Sequence, residues 1–500
     1  MSRINTNVSS LLGQRVLGQQ NRSLNTSLER LSTGLRINRG ADDPAGLIAS
    51  EALRSEKASI TAAIGNAERA EQVVNIAEGG LQEINNLLLE VQSLVGQSAN
   101  EAGLSQSERE ANQLQIDSIL QTIDRISETT SFQGTRLLNG TFDFNVENQA
   151  GTVSNVKVNA AQIPEGETRD VQVIVTQSAQ NAGFFLSTNG GTTLDLSAAD
   201  ATFRFDLAGS VGSREFSFAS GTSVADIAST VNTFTDITGV SAVASGNGVV
   251  FQSVELGSSE FVSVEIRDVA GQVGSVNLLS ATDTNTASTA GATTFAAASN
   301  PLRDEGQDIN ATINGVAATT DGATARVSSA FLDVEVDLTT AGAQATGSIA
   351  AATITGGGAQ FNLGPGVNIG NQVSIGIANV ASRNLGSQDN GFLSQLASGQ
   401  DNNVVDGDLT DAQKIVDDAI GEVSTLRGRL GAFQRNTVGA TIRSLGVALE
   451  NTSAAESSIR DTDFAAETAE LTRAQILQQA ATTTLSIANS QPQSVLSLLG

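Results

Sequence analysis

Few side chains in these 500 residues could do chemistry, and their types and spacing argue against catalysis. There is no His, Cys, Trp or Tyr. Ser-His-Asp and Cys-His arrangements are therefore excluded, as are imidazole and thiolate metal sites. Carboxylate pairs remain, at Asp42/Asp43 and Asp417/Asp418, with Asp333, Glu335 and Asp337 alternating in one short run. Each has a plainer use. Asp43 precedes Pro44, a residue suited to the first helical position, so it reads as an N-cap. Asp417/Asp418 fall on the solvated first-turn face of a helix. The acidic run lacks ligands at the fixed offsets of a cation loop and reads as the solvated face of a strand. Gly356-Gly357-Gly358 is followed by Ala359-Gln360-Phe361 rather than Lys-Ser/Thr, so it is a flexible or bulged connection, not a phosphate cradle. No catalytic residue, metal ligand or cofactor is expected.

Charge narrows the partners. Lys plus Arg number 27 and Asp plus Glu 53, a net −26 that argues against a general nucleic-acid binder. The first 41 residues invert this balance, with Arg at 3, 15, 22, 30, 36 and 39 against Glu29 alone. Membrane or nucleic-acid contact is one reading of them; pairing with acidic surfaces of neighbouring copies is the one the matching apolar seams favour. No apolar run reaches the roughly 18 residues of a membrane span, and the start has no signal-peptide core, so no membrane insertion is expected. Zero Cys fits an intracellular chain or one exported without oxidative folding.

Long helices must occupy both ends. Leu17, Leu24 and Leu31 repeat every seven residues, with Leu28 and Leu35 between. That helix is expected to end near Gly40. A second, from Pro44 to about Asn100, carries the seam Val73, Ala77, Leu81, Ile84, Leu88, Val91, Val95. Ser105 and Glu108 form a capping box before a helix with Ile116, Ile119, Ile123 and Ile126 on one face. Towards the other end, Thr410 and Gln413 read as another capping box. The seam there is Ile415, Ala419, Val423, Leu426, Leu430, Phe433, Val438, Ile442, Leu445, Leu449. A last helix from Thr462 or Asp463 carries Leu471, Ile476, Leu477, Ala480, Leu485 and Ile487, and the chain ends Val495-Leu496-Ser497-Leu498-Leu499. Neither terminal helix is stable alone in water, so the two are expected to pack side by side and on neighbouring copies.

The middle is different. It holds fifteen of the 18 Phe and −16 of the −26 charges. Alternation at Val262/Val264/Ile266, Leu332/Val334/Val336/Leu338 and Val373/Ile375/Ile377 predicts strands, and Asn314-Gly315 a hairpin turn. Ser223 and Asp226 cap a short helix carrying Val224, Ile227, Ala228 and Val231, so 200–270 reads as ββ-helix-ββ. The low-complexity segments 270–300 and 340–358 read as loops. The expected fold class is α+β and multidomain: N- and C-terminal helices pair in a coiled-coil or helical bundle, and the central insert is β-rich with short helices. Residues 1–43 with 462–500 are expected to form one terminal-helix domain, 44–170 with 385–461 an α-rich domain, and 171–384 an insert of one or two subdomains.

INTNVSSLLGQRVLGQQNRSLNTSLERLSTGLRINRGADDPAGLIASEALRSE with TSFQGTRLLNG, and ENTSAAESSIRDTDFAAETAELTRAQILQQAATTTLSIANSQPQSVLSLLG, resemble the two terminal regions of bacterial flagellin. FRFDLAGSVGSREFSFASGTSVADIASTVNTFTDITGVSAVAS resembles the flagellin/hook insertion repeat. The resemblance implies a filament subunit that assembles as a hollow helical homopolymer for swimming. It also implies localisation in the extracellular flagellum, reached through the flagellar type III apparatus, with 1–43 and 462–500 as an inner layer disordered until assembly, 44–170 with 385–461 as a surrounding core domain with a β-hairpin, and 171–384 outermost. Its implied partners are copies of itself, an export chaperone, the filament cap protein and the hook–filament junction protein. A junction protein is itself the alternative reading. Leu17, Leu24, Leu28, Leu31, Leu35, Ile476, Leu477, Leu485, Val495, Leu496, Leu498 and Leu499 would then pack between subunits. Val73, Leu81, Ile84, Leu88, Val91, Val95, Ile415, Leu426, Leu430 and Leu445 would form the core seam. Gln14, Gln19, Gln20, Gln478, Gln479 and Gln493 would line the channel. The region that a host innate receptor reads in this family corresponds to Glu90, Leu94 and Gln97. Glu90 stands where strong agonists carry Arg, which implies weak recognition.

Overall fold

The computed structural model describes the chain apart from residues 1–5, 101–102, 165, 189–190, 197–200, 280–291, 330, 389 and 500, and the side chains of 492–499. Arg3, Gln493, Val495, Leu496, Leu498 and Leu499 thus lie outside what is described. Among the described residues the helices are α1 (Val8–Thr33), α2 (Pro44–Ser98), α3 (Gln106–Thr129), α4 (Val224–Asn232), α5 (Thr235–Thr238), α6 (Thr340–Gln344), α7 (Leu409–Ala432), α8 (Gly439–Arg460) and α9 (Phe464–Leu499). The chain forms two compact units, one of residues 1–72, 361–372 and 432–500, the other of 73–360 and 373–431.

In the first unit, side-chain caps set the helix ends. Asp43 Oδ1 accepts from Gly46 N at 2.9 Å, which starts α2 at Pro44, and Asp463 Oδ1 does the same for Ala465 N at 2.9 Å at the head of α9. Helix α1 does not reach Gly40. It stops at Thr33 because Gly34 takes the left-handed conformation (φ 74°) and returns its N–H to Arg30 O. Asp42 accepts from Asn38 N and Arg39 N, and these two backbone donors hold its carboxyl below the usual range. Helix α8 runs along the first part of α2, with Leu445 against Ile60 and Ala63, and Glu456 3.3 Å from Lys57. Between α7 and α8 the seam steps by five, from Phe433 to Val438, and there the backbone makes one π-helical turn. That extra residue keeps both side chains on the buried face.

In the second unit the helical seam is buried throughout: Val73, Ala77, Leu81, Ile84, Leu88, Val91 and Val95 on α2, Ile116, Ile119 and Ile123 on α3, and Ile415, Ala419, Val423, Leu426 and Leu430 on α7. The Ser105–Glu108 capping box forms. The Thr410 box does not, because Asp408 caps α7 earlier, accepting from Thr410 N at 2.8 Å. Asp417 accepts from Gln92 Nε2 at 2.6 Å, while Asp418 accepts from Ser387 Oγ and Asn390 Nδ2, which ties a loop to α7. Both are structural acceptors.

The β-rich part of this unit has two cores. One lies between a four-stranded sheet (order Leu302–Glu305, Phe261–Asp268, Thr202–Gly209, Ser213–Ala219) and a five-stranded one that includes Gly183–Ser187 and Gly248–Ser253, with α4 packed on it. It is built on Phe184, Phe203, Phe205, Phe216, Phe218, Phe251 and Phe295. The other core is mostly Val, Ile and Ala, between sheets centred on Arg169–Gln177 and on Val153–Ala161 with Leu332–Leu338. The Phe core is inserted into the Val core. Gln180 N donates to Gln307 O at 2.8 Å and Gln307 N to Gln180 O at 2.9 Å, closing the neck where the chain leaves and returns.

Three expectations change here. Segment 340–358 is not a loop: it holds α6 and an 11-residue strand, Gly347–Gly357, paired on both sides. Small side chains let it pass between flanking strands, and Gly356, Gly357 and Gly358 (φ 143°, 96° and 76°) end it in a bulge beside Phe144. Of 270–300, residues 280–291 lie outside the described ones, and Ser275–Leu278 forms a strand. The acidic face of Leu332–Leu338 is half-buried rather than solvated. Asp333 accepts from Asn159 Nδ2 at 3.0 Å, and Glu335 sits in register with both Lys157 and Arg326. Nearby, burial pushes the carboxyls of Asp143 and Glu422 above their usual range and lowers the guanidinium pKa of Arg429.

Candidate functional site

The terminal helices pair antiparallel within the first unit. Asn7 Nδ2 donates to Ala488 O at 2.7 Å, Ser10 Oγ to Asn489 Oδ1 at 2.6 Å, and Gln478 Nε2 to Asn21 Oδ1 at 2.7 Å. Further along, Arg30 faces Glu467 at 3.6 Å. At the open end of α1, Arg36 Nη2 donates to Ile459 O at 2.6 Å and Thr462 N to Gly34 O at 2.9 Å.

Two interleaved heptad rows make the seam on each helix. On α1 they are Ser10, Leu17, Leu24, Leu31 and Gly13, Gln20, Ser27, Gly34, all buried or half-buried. On α9 they are Glu467, Ala474, Ala481, Ala488 and Leu471, Gln478, Leu485. One row on each helix is thus mostly small, so the axes approach closely: a Cβ placed on Gly13 would stand 3.1 Å from Leu485 Cδ1. Sequence reading by large apolar residues missed Ser10, Gly13, Ser27, Ala474, Ala481 and Ala488. Their own seven-residue repeat was the available signal.

Because small residues close the seam, large ones are left outside. Val8, Leu11, Leu12, Val16 and Leu28 on α1, and Phe464, Ile476, Leu477 and Ile487 on α9, are all exposed, Ile476 at 64% and Leu28 at 47%. Leu17, Leu24, Leu31, Leu35 and Leu485 are half-buried, so they divide between the seam and the outer surface. Gln20 and Gln478 belong to the seam rather than to a polar lining, whereas Gln14, Gln19 and Gln479 are exposed. Four of the five described Arg in the first segment are held within the copy: Arg39 pairs with Glu29 at 2.9 Å, Arg30 with Glu467, Arg36 with the carbonyl of Ile459 and Arg22 with that of Gly18. In the second unit Glu90 and Gln97 are exposed, but Leu94 is buried, so only the first two present a surface there. Among the described residues no group of three or more acidic side chains is placed to hold a metal, and no helix is long and apolar enough to cross a membrane.

Comparison with known proteins gives the family. The bacterial flagellin N-terminal helical region matches residues 4–143, the flagellin C-terminal helical region 413–499, and the flagellin hook IN motif 202–255. The chain is 32% identical to the B-type flagellin of Pseudomonas aeruginosa and 31% identical to the flagellin of Salmonella rubislaw, with 99% of each chain covered in both pairs. Among solved structures, the hook associated protein-3 of Legionella pneumophila is 12% identical, with 82% of this chain and 98% of that one covered, at a TM-score of 0.29. The cap protein D2-D3 domains of Serratia marcescens are 18% identical, with 37% and 91% covered, at 0.22. Both likenesses are too weak to bear on the fold. Helical termini that match at both ends, joined by full-length likeness to filament proteins, decide the identity: the chain belongs to the bacterial flagellins and is a structural subunit of the flagellar filament.

Proposed function

We propose that the α1–α9 pair is the face through which copies join the filament, and that residues 1–43 with 462–500 order only on joining. One observation carries this reading: nine large apolar side chains stay exposed on a helix pair whose own seam is already closed by small residues. Burying such a side chain contributes about 1.5–3 kcal/mol, and neighbouring copies supply the cover. Against this stands the ordering of two long helices, at about 1–2 kcal/mol per residue of backbone, which is why a single copy would leave them unformed. Copies then associate head to tail and the array stays open.

Val495, Leu496, Leu498 and Leu499 extend the same apolar role in this reading, and Val8, Ile476 and Ile487 are among its most exposed members. The role is structural and assigns no catalytic step. Export unfolded through the flagellar apparatus, shielding by a chaperone and insertion under a cap protein follow from family membership, supported by a chain with no Cys to cross-link. A junction-protein role is not favoured, since likeness to filament subunits covers the whole chain. The exposed carboxylate of Glu90 supports weak activation of a host innate receptor; a cell reporter responding as it does to a strong agonist overturns that point.

The decisive experiment deletes 465–500 and offers the product to sheared filament seeds. Loss of elongation with the insert still folded is expected. Elongation at the full-length rate overturns the reading.

A further inference from the structure

Residues 338–382 carry no charged side chain, in a chain of net charge −26. Part of this stretch, 361–372, belongs to the first unit and forms a loop braced from within. Asn371 Nδ2 donates to Gly366 O at 2.9 Å, Asn371 N donates to Asn368 Oδ1 at 3.0 Å, and Leu363 N donates to Asn371 O at 2.9 Å. Leu363 is buried, and the Phe361 ring lies 6.0 Å from that of Phe433 in the π-helical turn. Gly364 is packed against Asn371 with no room for a side chain, and Pro365 fixes its own φ. The brace holds two apolar side chains out: Val367 at 88% exposure and Ile369 at 44%.

The same unit also carries a receptacle. Ala58, Thr61 and Ala62 lie on one face of α2 and floor an open groove of about 560 Å³, walled by Arg54, Lys57 and Glu456. The wall charges are paired, with Glu456 3.8 Å from Arg54 and 3.3 Å from Lys57, and Glu51 2.9 Å from Arg54. An uncharged guest with aliphatic side chains suits that floor.

We propose that the Val367–Ile369 tip of one copy seats in the Ala58–Ala62 groove of the next. The occupant is a second copy because the chain is a filament subunit, and the inference rests on that reading. Knob and groove are different patches of one molecule, so the contact is heterologous and repeats without closing, as an open helical array requires. A pre-ordered loop loses little freedom on docking, and that favours this contact over one made by a floppy segment.

The absence of Cys makes the test clean. Filaments are grown from an equal mixture of Val367→Cys and Ala58→Cys chains and then oxidised. A cross-linked dimer is expected in the mixture and not in filaments of either variant alone. Filaments that contain both variants and yield no such dimer overturn the proposal. Val367→Glu decides the matter where a cysteine variant fails to incorporate. Its monomer should melt as wild type, because the side chain is outside the core. The subunit concentration left in equilibrium with filament should rise about tenfold, the change expected for some 1.4 kcal/mol. An unchanged concentration overturns the proposal. Wild-type chains that fail to elongate seeds would instead overturn the filament reading itself.

Discussion

Glu422 shows how much a single residue's surroundings decide. On α7 it is half-buried, accepts from Gly386 N at 3.3 Å, and is pushed above its usual range first by desolvation, with Lys157, that hydrogen bond and Arg429 opposing. A carboxyl raised in the folded state keeps its proton where the unfolded chain has lost it. Its contribution is therefore full below the ordinary value of 4.5 and is lost as pH rises through the folded value. Glu422→Gln keeps an acceptor for Gly386 and removes the charge. Its urea midpoint at pH 7 is expected to exceed wild type, with the gain vanishing by about pH 4. A lower midpoint at pH 7 would show that Lys157 and Arg429 outweigh the desolvation. Nothing in the sequence next to Glu422 signals burial of a charge, since Lys157 and Gly386 act on it from distant parts of the chain and only Arg429 shares its helix.

Among the elements, the seam of the terminal pair and the π-helical turn make opposite predictions. Ala481 sits in the small row of α9, so Ala481→Leu forces the axes of α1 and α9 apart. Overpacking of this kind costs about 1–3 kcal/mol, and seeded elongation should slow sharply while the melting of the β-rich insert stays put. The π turn holds one residue more than an α-helix needs between Phe433 and Val438. Deleting Asn436 restores a step of four, which also places both side chains on one face. The deletion is thus expected to fold with unchanged or higher thermal stability, as circular dichroism would show. Unfolding of the variant would mean that the bulge itself is required. The seam residues Ile415, Leu426, Leu430 and Leu445 were legible as steps of three and four, but the five-residue step makes sense only with its hydrogen bonds in view.

The whole molecule is a set of nested insertions. The Phe core joins the Val core through a neck at Gln180 and Gln307, where the strands Arg169–Gln177 and Asn310–Ile313 already lie side by side. Replacing 181–306 with a short Gly linker adds little closure cost, since the ends meet before the cut. The shortened chain is expected to fold and to elongate seeds, with pelletable filament as the readout. Failure to pellet, with helical content intact, would place an assembly contact in the excised lobe. Deletion of 465–500 makes the opposite prediction, because it removes apolar surface for which the rest of the chain has no substitute.

What the amino-acid sequence settled without help was whatever depends on local order. Periods of seven and of three to four placed α1, α2, α3, α7 and α9, alternation placed Phe261–Asp268 and Leu332–Leu338, and the lack of His and Cys removed their chemistry. Family membership was equally legible, because the terminal motifs are long and contiguous. Tertiary structure alone showed that Asp408 rather than Thr410 caps α7 and that α1 ends at Gly34 rather than near Gly40, since each depends on the final path of the backbone. It also turned 340–358 from a loop into a paired strand, because small side chains carry little intrinsic preference and take the conformation that their neighbours hydrogen-bond. The division of the terminal leucines between seam and outer surface was settled there too. A heptad pattern tells which residues want cover, while the partner helix determines which of them receive it within one chain.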